Sequence, residues 1–173
     1  LALLLGILAF LVGVLYSEGP FPISRTPFGE IVVGFTMGFI ETIATVLVSA
    51  DRVPVLAYLL SVPLSVLVAS ILTAANIRDI DKDREVGRKT LVVLLGRRRA
   101  SFLFFAMIAA SYFWIPIVSA VTGDYSINLT LMTLPISYIG LRKLKKDGFL
   151  YGVEVSSFIY ILYSVVLALS VLL

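Results

Sequence analysis

The chain has 173 residues, of which 60% are hydrophobic and only 14% charged, and its mean hydropathy is +1.05. Apolar runs of bilayer length exclude a soluble globular domain and imply an all-α integral membrane protein. Neither cysteine nor histidine is present, which excludes disulfides, a thiolate nucleophile, an imidazole base and the usual zinc centres, and the net charge of +3 reports topology rather than nucleic-acid binding.

Apolar runs between charges predict six spans, over about 1–16, 29–50, 53–75, 100–121, 127–141 and 150–173. The first, "LALLLGILAFLVGVLY", has no basic leading segment and no small-residue cleavage site before Ser17, so it reads as a helix cut at its start rather than a signal peptide. A preceding N-terminal portion is therefore expected. The second span contains Glu41, an acid that is expensive inside a membrane and by default a functional candidate facing the bundle or a cavity. Glu30 and Glu154, near span ends, read as interfacial. After the third span comes "NIRDIDKDREVGRKTL" (76–91), which gathers four acids and five bases into sixteen positions. The fifth span is short and interrupted by Pro135, a kink that neighbouring helices can tolerate. With no internal repeat and no low-complexity linker, residues 1–173 form one polytopic domain.

Six spans place Arg25, the eight bases of 76–99 and Arg142, Lys143, Lys145 and Lys146 on one side, thirteen in all, against Arg52 alone on the other. The positive-inside rule makes the first side cytoplasmic and points both chain ends outward, in a multi-pass protein of the cell membrane. Dropping the fifth span would put Arg142 to Lys146 on the wrong side.

Continued as a helix, the charged stretch puts Asp79 and Asp83 on one face, with Asn76 one turn earlier. Two carboxylates so spaced suit a hard divalent cation such as Mg²⁺, whose shell is completed by waters and substrate phosphates. Arg84, Arg88 and Lys89 follow within two turns as donors to phosphate oxygens, and Gly87 breaks the helix and lets the chain fold back. The same spacing also fits a solvated, salt-bridged helix, since Asp81 with Arg84 and Glu85 with Arg88 or Lys89 are at helical pairing distance. An EF-hand fails, because Arg84 stands where glycine is required and Thr90 where the bidentate glutamate belongs.

"NIRDIDKDREVGRKTLVVLLG" resembles the second aspartate-rich motif of the UbiA superfamily of membrane prenyltransferases, and within it the 1,4-dihydroxy-2-naphthoate prenyltransferases of menaquinone synthesis, N-x-R-D-I-x-x-D-x-x-x-G-K-x-T-L. Asn76, Arg78, Asp79, Asp83, Gly87, Thr90 and Leu91 match, and Arg88 and Lys89 share the basic positions. Upstream, "YSEGPFPI" (Tyr16 to Ile23) is similar to the Y-[ST]-x-G-P-x-P-L loop of that subfamily. The resemblance implies a nine-helix bundle of which this chain supplies helices four to nine, without the first aspartate motif. It implies Mg²⁺-dependent transfer of a polyprenyl group from its diphosphate to an aromatic acceptor, with Asp79 and Asp83 as metal ligands and Asn76 as a supporting polar contact to the diphosphate. Arg84, Arg88 and Lys89 would neutralise the diphosphate, Lys89 foremost. Tyr16 would steady the allylic cation or orient the acceptor, where its alternative is an interfacial anchor. Glu41 would approach the acceptor pocket, although the subfamily carries glycine and small residues with a Thr-Tyr pair near there. Two other readings stay open: prenyl transfer to a glycerophosphate ether lipid, and a transporter or scaffold whose basic loops bind anionic lipid.

Overall fold

The computed structural model describes residues 2–50 and 52–173, apart from the side chains of Ala2 and Lys146. Among them every regular element is helical. We label the helices α1 (Ala2–Ser17), α2 (Gly29–Ser49), α3 (Val55–Arg78), α4 (Ile80–Glu85), α5 (Leu91–Thr122), α6 (Leu134–Asp147) and α7 (Gly152–Val171). Four of them, α2, α3, α5 and α7, are long and apolar enough to cross a membrane, and α1 is apolar but shorter. The chain is an all-α, multi-pass membrane protein.

The centre of the bundle is α3, which contacts α2, α5 and α7. It starts after Pro54 and carries Pro63 inside. A proline there removes the donor that would have met the carbonyl of Leu59. Trp114 of α5 fills the gap, its Nε1 donating to Leu59 O at 2.9 Å. Small residues set the approach of α2: a Cβ at Gly34 would stand 2.7 Å from the Ser65 carbonyl oxygen, and one at Gly38 would overlap the Ser65 backbone. From the first of these glycines α2 widens into a π-helical stretch, Gly34–Ile40, that includes both. Glycines four apart let two backbones meet where lipid offers no hydrophobic drive for helices to associate.

On the other side of α3, Leu67, Ile77, Phe104, Ile115 and Ile159 are fully buried. Two tyrosines tie α5 and α7 to the chain around them. Tyr163 donates to Ser111 O at 2.9 Å, and the Tyr112 hydroxyl lies 2.7 Å from both Thr133 Oγ1 and Ser137 Oγ.

Two sequence expectations shift. Pro135 does not kink a continuous helix over 127–141; a 3₁₀ stretch (Ser126–Thr133) comes first and Pro135 sits in the first turn of α6, where a missing N–H is harmless. The helix expected from residue 100 starts at Leu91, capped by Thr90, whose side chain accepts from Val93 N. It breaks at Gly96, where φ is +76°.

Candidate active site

The charged stretch folds back on itself at one end of the bundle. At Asp79 the helix is interrupted, with φ −95° and ψ 9°, yet the bonding ladder runs on: Asp79 N donates to Ala75 O at 3.0 Å and Asp83 N to Asp79 O at 2.9 Å. Asp79 and Asp83 therefore remain one turn apart on the same side, as their spacing predicts. At the end of α4, Gly87 takes φ +70°. Gly87 N then bonds Arg84 O at 3.1 Å and Arg88 N bonds Asp83 O at 2.9 Å, the paired closure of a helix by a left-handed glycine. This turn carries Arg88 over Asp83, where Nη1 meets Oδ1 at 3.2 Å. Next in sequence, Lys89 N donates to Arg25 O at 3.0 Å, tying the stretch to the α1–α2 connection.

A pocket of about 630 Å³ opens here, lined by Asn76, Arg78, Asp79, Lys82, Asp83, Val86, Arg88 and Leu150. Asp83 is buried, and its Oδ2 has no hydrogen-bond partner. Asp79 is more open and is held by Arg78 through Nη2 at 2.9 Å and Nε at 3.3 Å. The hydrogen bond from Arg78 holds the Asp79 carboxyl below the usual carboxylate range; partial burial opposes this, and the charges of Arg78, Lys82 and Arg88 reinforce it.

Asn76 enters the pocket with its amide already engaged, Nδ2 donating to Glu30 Oε1 at 2.8 Å. Glu30 is buried at 2% exposure and its Oε2 has no partner. Sequence reasoning set this acid aside as interfacial. The one available signal was its place eleven residues after Gly19, where "GPFPI" begins, at the start of an apolar span. Beside it the Tyr16 ring lies against Gly29, close enough that a Cβ there would stand 3.7 Å from the Tyr16 hydroxyl. Glu30 and Arg88 are both within electrostatic range of that hydroxyl.

The remaining candidates lie apart from the pocket. Arg84 pairs with Asp81 at 3.4 Å, and Arg97 reaches the other Asp81 oxygen at 3.0 Å. Asp81 itself is 71% exposed, so for this trio the alternative of a solvated ion-pair network describes the contacts. Lys89 has an exposed side chain outside the pocket lining. Tyr16 and Glu41 line a second, almost wholly apolar cavity of about 470 Å³ between α1 and α2. Glu41 also borders a cavity of about 460 Å³ between α2, α3 and α7, with Met37, Leu72, Ala75 and Tyr160.

No three acidic side chains converge among the described residues. A cation here would rest on Asp79, Asp83 and neutral oxygens, with water and phosphate completing the shell. The buried, partnerless Oδ2 of Asp83 fits that role, because a carboxylate oxygen removed from water needs a cation or donor.

Residues 1–147 match the UbiA prenyltransferase family. Over 133 residues the chain is 36% identical to "1,4-dihydroxy-2-naphthoate octaprenyltransferase" of Bacillus subtilis, covering 77% of this chain and 42% of that protein. It is 28% identical over 122 residues to the protein of the same description in Mycobacterium leprae, covering 70% of this chain and 42% of the relative. It is also 26% identical over 121 residues to "UbiA prenyltransferase domain-containing protein 1" of Mus musculus, covering 70% and 36%. The chain thus spans about two fifths of the length of the curated relatives it matches. No solved structure matches it.

Proposed function

Because the chain belongs to the UbiA prenyltransferase family, we propose that its charged pocket binds the diphosphate of an allylic polyprenyl donor for transfer to an aromatic acceptor, 1,4-dihydroxy-2-naphthoate, in menaquinone synthesis. The observation that carries this reading is the buried Asp83 carboxylate, one oxygen under Arg88 and the other without a partner, in a pocket shared with Asn76 and Asp79. The two relatives described as dihydroxynaphthoate octaprenyltransferases support the choice of acceptor.

In the reaction the allylic C–O bond breaks and its electron pair leaves with the diphosphate. A ring carbon of the acceptor then bonds to the allylic carbon, and the group it replaces on the ring departs without that bonding pair. Asp79 and Asp83 would hold Mg²⁺, which would supply neutralisation of the charge developing on the leaving diphosphate. Arg88, beside Asp83, donates to the phosphate oxygens. Arg84 and Lys89, exposed and outside the pocket lining, add positive charge at longer range rather than by direct contact. Tyr16, between Arg88 and the apolar α1–α2 cavity, offers its ring face to the allylic cation, and that cavity excludes water from the prenyl chain. Glu41, farther along the same cavity, meets the acceptor or its polar substituents.

The proposal places the pocket on the cytoplasmic side of the cell membrane with both ends of the 173 residues facing outward, and assigns the first aspartate motif to helices outside these 173 residues. A radiolabelled transfer assay tests this, with a polyprenyl diphosphate, dihydroxynaphthoate and Mg²⁺ supplied to the chain co-expressed with those helices. Product that disappears on chelating Mg²⁺ and on Asp83→Asn supports the reading; full turnover by Asp83→Asn removes the pocket from the reaction.

A further inference from the structure

We propose that Glu30 is a positioning residue that orients the Asn76 amide, so that the Asn76 carbonyl oxygen and not its N–H₂ faces the Asp79/Asp83 pocket. The inference rests on the metal-diphosphate reading of that pocket and deepens it by dividing the labour among its polar groups.

An asparagine amide has one end that donates and one that accepts, and nothing in its own shape decides which end points where. Its partner decides. Glu30, as a carboxylate, can only accept, so the Asn76 side chain must turn Nδ2 toward it, as the 2.8 Å bond records. That leaves Oδ1 as the end available to the pocket, and among the described residues no donor takes it. An acceptor oxygen beside two carboxylates repels phosphate oxygens and attracts a cation or its water shell. Asn76 therefore serves the metal side of the site, while the diphosphate side falls to Arg88. Helical spacing had set Asn76 beside Asp79 and Asp83, while the family resemblance assigned it to the diphosphate.

The surroundings favour this over a purely structural hydrogen bond. Glu30 is almost wholly buried and keeps one oxygen without a partner, an arrangement that costs stability. Glutamine would satisfy Asn76 with less burial penalty, but its amide could present either end, and the orientation of Asn76 would no longer be enforced. Partners that fix the orientation of a metal ligand typically change affinity for the metal by about 10–100-fold when altered.

The test uses Mn²⁺ with inorganic pyrophosphate, followed by Mn²⁺ electron paramagnetic resonance on the purified chain in lipid nanodiscs, so that binding is read without turnover. Glu30→Gln is expected to weaken Mn²⁺ binding by about 10-fold. The double variant Glu30→Gln with Asn76→Asp restores the polarity, since the new amide donates to one carboxylate oxygen and leaves the other for the pocket, and should bind at least as tightly as wild type. Wild-type affinity in Glu30→Gln, with binding lost in Asp83→Asn, would leave the site standing and overturn the role of Glu30. A double variant as weak as Glu30→Gln would overturn it too, and if Glu30→Gln fails to accumulate the double variant decides alone. Unchanged binding in Asp83→Asn, or none in wild type, would remove the reading of the pocket itself and this inference with it.

Discussion

Asp83 and Asp81 stand two residues apart in one short helix and have opposite surroundings. Asp83 is buried under Arg88 with a free oxygen turned from solvent, whereas Asp81 is 71% exposed and shared between Arg84 and Arg97. In the active assembly Asp83→Asn is expected to lower the transfer rate by about 100-fold or more, as for loss of a group that stabilises developing charge. Asp81→Asn should stay within about threefold, because exposed ion pairs contribute little. Steady-state rates of the two purified variants, side by side, check the contrast. The contrast was legible in the sequence, because helical spacing alone turns position 81 away from 79 and 83. Glu30 was not, for its partner is 46 residues distant and an acid at the start of an apolar run has the same appearance whether it faces headgroups or a neighbouring helix. The split between Arg88 and Arg84 depended on the left-handed turn at Gly87. The sequence marked that glycine as a break, but only the resulting closure of the chain determines which arginine returns over Asp83.

At the level of helices, the α2–α3 crossing depends on Gly34 and Gly38. Gly38→Leu forces side-chain atoms into the Ser65 backbone, which cannot move aside without displacing α3, and is expected to cost at least about 1–3 kcal/mol. The thermal midpoint in detergent should fall by several degrees, while Gly6→Ala on α1, with open space around it, should leave it unchanged. A second element-scale expectation concerns Trp114→Phe, which keeps the ring and removes the donor to Leu59 O at the Pro63 break. Loss of about 1 kcal/mol is expected, measured by the same melting experiment. Of the six expected spans, the first is a shorter apolar helix and the fifth, 127–141, is not among the helices long and apolar enough to cross. The other four were readable from hydropathy because apolar length is what a bilayer demands. The π-helical stretch in α2, the 3₁₀ start before α6 and the break at Gly96 were not, because each answers to a neighbouring helix or a local dihedral rather than to the apolar period.

For the whole molecule, thirteen of fourteen bases fall on one side of the expected topology. With no native cysteine to interfere, a cysteine at Asp124 should label from outside the cell with an impermeant thiol reagent and one at Lys145 should not. Equal labelling of both would overturn the orientation. The 173 residues by themselves are expected to show no transfer above background in the radiolabelled assay, since a single aspartate pair neutralises only part of a leaving diphosphate. Turnover equal to that of the co-expressed assembly would refute this. The hydrogen bond between Glu30 and Asn76 has a further consequence, for biosynthesis. Asn76 is made 46 residues after Glu30, which at ~5–20 residues per second is an interval of roughly 2–9 seconds. Throughout it the glutamate has no amide to meet. Burying Glu30 before then would leave its carboxylate without this donor, so its near-complete burial is a property of the assembled helices and not of α2 alone. The pocket waits longer still, because its lining includes Leu150, made more than seventy residues after Asn76.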